Sequence, residues 1–342
     1  MRFWLLVLLG VSGCGSGAQD SRQQSLRPGQ GVAPSVEQSL AERFAPIVFL
    51  HPEERYLPMS VGEYFQHLHD AKGEEFYTSG RAAFERGLTQ AVVAQVSQDL
   101  QRLQYWFFYP KNGCQGMQID YRPWDWWHKR SVQHKTIEVC NLGRHQGDWE
   151  HVTIELSPDL ATMRRVFYSQ HSGGVWLDAE QAELEQGRVV VYAALNSHAN
   201  YPSAEGFHSS ATVARTVLTA LTWIQAIRIG DIVSVPTSAA SIVIGAPIRW
   251  DTARNLSVWN EGLAAPYRAY LGAWGETIRA QDVQPIKDLP SYLSRLVRTV
   301  VPIAFAVVPQ LHGKGNGAAP PSPWGRVSWQ QFDQAINKDE TR

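Results

Sequence analysis

Five consecutive aromatic residues, Tyr105-Trp106-Phe107-Phe108-Tyr109, constrain this chain more than any other feature. Large flat side chains suit a pleated, packed surface, and Pro110-Lys111-Asn112-Gly113 behind them is a turn signal, so the run reads as a strand. Further strands follow. Residues 151–156 place Val152, Ile154 and Leu156 on one face, and residues 165–170 and 188–195 are similar, with Gly-rich or acidic loops between them. Helices are expected at 60–69 and at 80–103, where Phe84, Leu88, Val92, Val96 and Leu100 recur every four residues, and again at 216–229. Residues 232–248 are β-branched and fit either form. The fold class is therefore mainly β with α insertions (α+β): an antiparallel β-sandwich core with peripheral helices. With 13 Trp and 44% hydrophobic residues the chain can fill such a core. Residues 313–323 form a Gly/Pro loop, after which Trp324 and Trp329 are expected to dock back.

The N-terminus has a different character. Arg2 precedes an apolar run, Phe3 to Leu9, and then Gly10-Val11-Ser12-Gly13-Cys14. This is the layout of a signal peptide, too short for a membrane span. Val11-Ser12-Gly13-Cys14 fits a lipobox, with Cys14 the acylated residue; an ordinary secretory signal with a chance cysteine is the alternative. Residues 1–14 are thus expected to be a lipoprotein signal peptide and lipobox, 15–36 a flexible Gly/Ser/Gln/Pro tether, and 37–335 a single β-sandwich-type domain with helical insertions. The protein is expected to be exported and lipid-anchored, at the outer membrane in a Gram-negative host or at the cell surface.

Lipidation of Cys14 leaves Cys114 and Cys140, either a disulfide in an oxidising compartment or two buried thiols. A net charge of -1 gives no electrostatic case for nucleic acid.

Chemistry concentrates in His145-Gln146-Gly147-Asp148-Trp149-Glu150-His151. Strand alternation continues the Val152/Ile154/Leu156 face through Glu150 and Asp148, so both carboxylates aim inward. Buried carboxylates need a cation, a basic partner or a proton. Oxygen ligands favour Ca²⁺ or Mg²⁺, and imidazoles admit Mn²⁺ or Zn²⁺. His145 in the preceding loop, and His171 and His198 at other strand ends, are near enough to join. A structural salt bridge to Arg144 or Arg122 is the competing reading. Ser169 and Ser197 lack a nucleophile elbow. Trp126 and Trp127, with Trp149, are candidates to stack on a sugar ring, and an aromatic core cluster is their alternative.

These residues carry two resemblances. Arg43-Phe44-Ala45-Pro46-Ile47, His51-Pro52-Glu53-Glu54-Arg55-Tyr56-Leu57-Pro58, Gly147-Asp148-Trp149-Glu150-His151-Val152, Ser169-Gln170-His171-Ser172-Gly173-Gly174, Ser197-His198-Ala199-Asn200-Tyr201-Pro202, Tyr270-Leu271-Gly272-Ala273-Trp274-Gly275 and Ser322-Pro323-Trp324-Gly325 resemble the vacuolar protein sorting-associated protein 62 family. More distantly, His145 with Asp148-Trp149-Glu150, and Tyr109-Pro110-Lys111, look like motifs of the necrosis-inducing proteins, secreted β-sandwich cytolysins. That likeness implies that His145, Asp148 and Glu150 help bind a divalent cation where a sphingolipid sugar headgroup docks, with His171 and His198 matching less closely. Gly147 stands where that motif has a second His.

The reading that follows is an envelope-tethered lipoprotein with a divalent-cation site, its partners the membrane and a glycan or lipid headgroup. A metal-dependent hydrolase, with Glu150 or His151 activating water, is the alternative from another class, and an interaction protein with a purely structural ion site is a third.

Overall fold

The computed structural model describes residues 34–70, 72–79, 84, 90–123, 133–139, 144–171, 173–204, 206–218, 222–233, 246–259, 267–276, 319–330 and 332. The chain divides into two compact units, Met1–Pro34 and Ser35–Arg342. Cys14 and the expected signal peptide lie outside the described residues, as do Trp126, Trp127 and Cys140.

Three sheets form the described part of the second unit. The largest runs β15 (Leu256–Val258), β2 (Val92–Val96), β3 (Arg102–Asn112), β6 (His145–Leu156), β7 (Met163–Gln170), β8 (Gly173–Asp178). A second runs β11 (Asn200–Tyr201), β10 (Arg188–Ala193), β1 (Ile47–Leu50), β14 (Ile248–Asp251), with β9 (Leu184–Glu185) on β10. The third joins β12 (Phe207–Leu218), β13 (Thr222–Ile232), β4 (Gln115–Pro123) and β5 (Gln133–Val139). Most pairs are antiparallel, as expected of a sandwich, but β1 pairs with β10 and β15 with β2 in parallel.

The aromatic run explains itself at the centre of the largest sheet. Every residue of β3 is buried, so neither face needs polar side chains. Tyr105, Phe107 and Tyr109 join Val152, Ile154, Leu156, Val166 and Tyr168 against Val48, Leu50, Val191 and Trp250 of the second sheet. That is the sandwich core, closed at one end by Leu40, Ala41 and Phe44 of α1 (Val36–Phe44), which Ser35 caps. Trp106 and Phe108 face the other way. They pack with Trp149, Tyr64, Trp274, Trp324 and Trp329 in a second, aromatic core. Trp324 and Trp329 therefore dock back, as expected, each 5% exposed.

Several expected elements are corrected. The helix at 60–69 is α2 (Val61–Gln66), capped by Ser60, and α3 (Glu74–Thr78) follows it. The helix expected over 80–103 fails across its described second half. Val92–Val96 is a strand in register with β3, and Leu100 turns at φ 63°. A spacing of four satisfies strand alternation as well as a helix, and β-branched Val92, Val93 and Val96 favour the strand. The helix at 216–229 is instead the end of β12 and most of β13, paired along their length. The turn expected at 110–113 comes later, because β3 continues to Asn112. His145 lies in β6, not in a preceding loop.

Candidate functional site

Asp148 and Glu150 project from β6 on the face that Val152, Ile154 and Leu156 give to the sandwich core, as alternation requires. They are 4% and 7% exposed. What faces them comes from distant parts of the chain. Tyr109 pairs with Asp148 across the sheet and stacks on the His198 ring with centroids 3.8 Å apart. His198 lies in the turn between β10 and β11 and is fully buried. Its Nδ1–H donates to Asp148 Oδ2 at 2.8 Å, and its Nε2 stands 3.5 Å from Glu54 Oε2. Glu54, on the loop after β1, also accepts backbone N–H bonds from Arg55, Tyr56 and Asn196. An Asp148–His198–Glu54 bridge results.

Burial opposes the charge of His198, but Glu54 and the bond to Asp148 together push its pKa up to about 9. Burial likewise works against the Glu54 anion, yet His198 and the backbone donors hold its carboxyl below its ordinary value. Glu150 lacks such a partner. Burial and then the charge of Asp148 raise it, and the Ser169 hydroxyl, His171 and Arg326 only partly offset this. The Ser169 oxygen accepts from His151 N–H and from Asn200 Nδ2–H, so its own proton goes to Glu150 Oε2, 2.7 Å away.

A second bridge lies beside the first. His171 Nε2–H donates to Asp231 Oδ2 at 2.7 Å, and Asp231 also accepts from the Ser197 and Tyr201 hydroxyls. The Asp231 charge pushes His171 up to about 9 against burial. His171, Asn196 and His198 all adopt left-handed backbone, with φ of 55°, 64° and 55°. Side chains with a Cβ take that conformation at a cost of about 1–2 kcal/mol, and such strain gathers at functional sites.

His145 completes the picture. Its Nδ1 lies 2.8 Å from the Gly147 carbonyl, which can only accept, so Nδ1 carries the proton. Its Nε2 then faces Asp148 Oδ1 across 4.0 Å. That gap is too long for a hydrogen bond. Metal–ligand bonds of roughly 2.0–2.5 Å would let two ligands of one ion stand that far apart.

The five expected ligands thus fall into separate arrangements. Asp148 and His198 bond directly, His145 faces Asp148 across the gap, Glu150 takes the Ser169 hydroxyl, and His171 belongs to Asp231. Among the described residues no group of three His, Cys, Asp or Glu stands ready to hold an ion. Asp148 pairs with His198; of the two arginines in the competing salt-bridge reading, the Arg122 side chain lies outside the described ones. Trp149 is displaced from the ligand role. It points to the opposite face of β6 and is 3% exposed between Phe108, Trp274 and Trp324. His151 shares that face, tilted against Trp106 and stacked on Phe167, which turns it away from Asp148, and burial with Arg326 lowers it to about 3. The hydroxyls of Ser169 and Ser197 both donate to carboxylates, which leaves no Ser–His nucleophile.

Sequence reasoning missed Glu54 and Asp231. Glu54 had a signal, its place in His51-Pro52-Glu53-Glu54, whereas Asp231 is one acid in a β-branched run. Cys114 is disulfide-bonded, and its expected partner Cys140 lies outside the described residues.

The sequence profile of the vacuolar protein sorting-associated protein 62 family matches residues 97–333, more than half of the chain and all of β6. The chain belongs to that family. No curated protein matches the sequence. Two solved structures share a limited likeness. One is described as a toxin fold for microbial attack and plant defense, with 13% identity over 69% of this chain and 80% of that one and a TM-score of 0.30. The other, a non-toxic HaNLP3 protein, has 14% identity over 67% and 77% and a TM-score of 0.31. Among the described residues no helix is long and apolar enough to cross a membrane.

Proposed function

We propose that this member of the family is an exported, lipid-anchored envelope protein whose β6 site binds a divalent cation and, through it, a glycan or lipid headgroup. The observation that carries the reading is the 4.0 Å gap between His145 Nε2 and Asp148 Oδ1, with Nδ1 already committed to Gly147. Histidine metal ligands are commonly held this way, one nitrogen donating to a carbonyl and the other presented to the ion. Charge supports it. Glu54, Asp148, Glu150 and Asp231 lie together against His171 and His198, with Arg326 acting on Asp148 and Glu150. A cation beside Asp148 would relieve the repulsion that raises Glu150.

His145, Asp148 and Glu150 would hold the ion, and His198 would fix Asp148 through its second oxygen. Bound there, a cation supplies a positive centre for hydroxyl or phosphate oxygens, with Ca²⁺, Mg²⁺ and Mn²⁺ the best matches to an oxygen-rich set. Acylated Cys14 and a Cys114–Cys140 bridge complete the proposal. A glycan array probed with the full-length protein tests the binding half. Spots that light with Ca²⁺ or Mn²⁺ and go dark in chelator are expected; binding that ignores chelator would refute it.

A further inference from the structure

Two motifs are still without a role, Tyr270-Leu271-Gly272-Ala273-Trp274-Gly275 and Ser322-Pro323-Trp324-Gly325. They close on each other. Trp274 is fully buried; its backbone N–H donates to the Pro320 carbonyl at 2.9 Å and its indole N–H to Ser322 Oγ at 2.9 Å. The Ser322 hydroxyl donates onward to the Tyr270 carbonyl at 2.6 Å, which also receives the Trp324 indole N–H at 2.7 Å. Ser322 itself is 0% exposed.

This clasp is seated on the first residues of β6. A Cβ on Gly147 would lie 2.4 Å from the Trp274 carbonyl oxygen, and one on Gly275 would lie 2.4 Å from Gln146 Cβ. Both glycines also have positive φ, 61° and 135°. Backbone therefore crosses backbone here at a separation only glycine permits. Glu276 N–H donates to Gln146 Oε1 at 2.9 Å, and the Tyr64 hydroxyl donates to the Trp274 carbonyl at 3.1 Å. The same Gly147 that Trp274 presses upon offers its carbonyl to His145 Nδ1.

We infer that the clasp is a positioning element for the β6 site, in which Ser322, acting through Trp274 and Gly147, fixes the His145 ring with Nδ1 donating and Nε2 turned toward Asp148. The ring orientation follows from the contacts themselves; its use in holding a cation rests on the function proposed above. The hydrogen bonds of Ser322 and Trp274 go to each other, Tyr270, Pro320, Gly272 and Tyr64, so they act on the site by holding the Gly147 peptide. A positioning contact of this kind commonly tunes metal affinity about 10–100-fold.

Ser322→Ala removes the hydroxyl that links Trp274 to Tyr270, and Ser322→Thr keeps it. The test records the nitrogen-15 spectrum of the His145 ring in the purified full-length chain, with chelator present and above the ordinary imidazole titration range. Mn²⁺ affinity is measured by calorimetry on the same samples, at a temperature where each is folded. Wild type and Ser322→Thr should show the Nδ1–H tautomer and equal affinity, whereas Ser322→Ala should show mixed tautomers and bind Mn²⁺ roughly tenfold more weakly. Should Ser322→Ala fail to fold, Trp274→Phe, which lacks only the indole ring's N–H and some volume, replaces it. An unchanged tautomer in a folded variant overturns the inference. Wild type that binds no Mn²⁺ sinks the cation reading alone, and the tautomer still decides the clasp.

Discussion

Replacing His198 with glutamine should be the most damaging single change at the site. His198 is fully buried, and its partners Glu54 and Asp148 are each 4% exposed, so water cannot take over the role of the lost imidazole. Removing one partner of a buried ion pair costs about 3–5 kcal/mol, because a charge is left without compensation. Here the imidazole serves two carboxylates, which favours the upper end. The parallel stack with Tyr109 adds roughly 0.5–1.5 kcal/mol. Glutamine gains nothing from the backbone, since φ of 55° suits it no better than histidine. A total near 5 kcal/mol should lower the melting temperature by roughly 10 °C in a domain of this size. Urea unfolding in chelator reads it directly. The double variant with Glu54→Gln should be less unstable than the sum of the singles, because the second change removes one stranded charge. A loss below about 1 kcal/mol would refute the reasoning, as would simple additivity, since either result means the bridge is solvated or absent.

The His171–Asp231 pair predicts a pH dependence. The folded-state pKa of His171 is raised from 6.5 to about 9, so its contribution is complete below 6.5 and is lost as pH rises through 9. Wild type should exceed His171→Asn in urea stability at slightly acid pH and lose that advantage in alkali; an advantage that grows with pH contradicts the pairing. Gly147→Ala should cost about 3 kcal/mol or more, from left-handed strain plus overlap with Trp274, and an unchanged thermal melt would mean the clasp is not seated there. Thiol counting on denatured, unreduced protein should find Cys114 and Cys140 blocked, and two free thiols would exclude their bridge.

What was legible in the sequence and what was not have a common physical origin. Alternation along residues 148–156 gave the inward face of β6 correctly, because period two depends only on the strand itself. His171 and His198 were identified as strand-end residues for the same local reason. Glu54 and Asp231, which face them, were not, since the bond from Asn196 in the His198 turn to Glu54 spans 142 residues and His171 and Asp231 are 60 apart. No spacing rule reaches across sheets. The aromatic run announced a strand but not its burial on both faces, which comes from the second core that the C-terminal tryptophans supply. Trp149 was offered as a sugar-stacking ring because it adjoins the two carboxylates, although the alternation that turns Asp148 and Glu150 inward turns Trp149 away. The helix expected over 80–103 failed in its described second half because a four-residue repeat is shared by both periods.

The central claim is that the β6 site takes a divalent cation, and thermal melting of wild type against Asp148→Asn tests it most directly. An ion that binds only the folded chain stabilises it by mass action, about 2.7 kcal/mol at a hundred times the dissociation constant. Wild type should therefore melt higher with Ca²⁺, Mg²⁺ or Mn²⁺ than in chelator. Asp148→Asn, which keeps the side-chain shape but loses the carboxylate facing His145 Nε2, should show little or none of that shift. Wild type whose melting is indifferent to all of these ions would contradict the account.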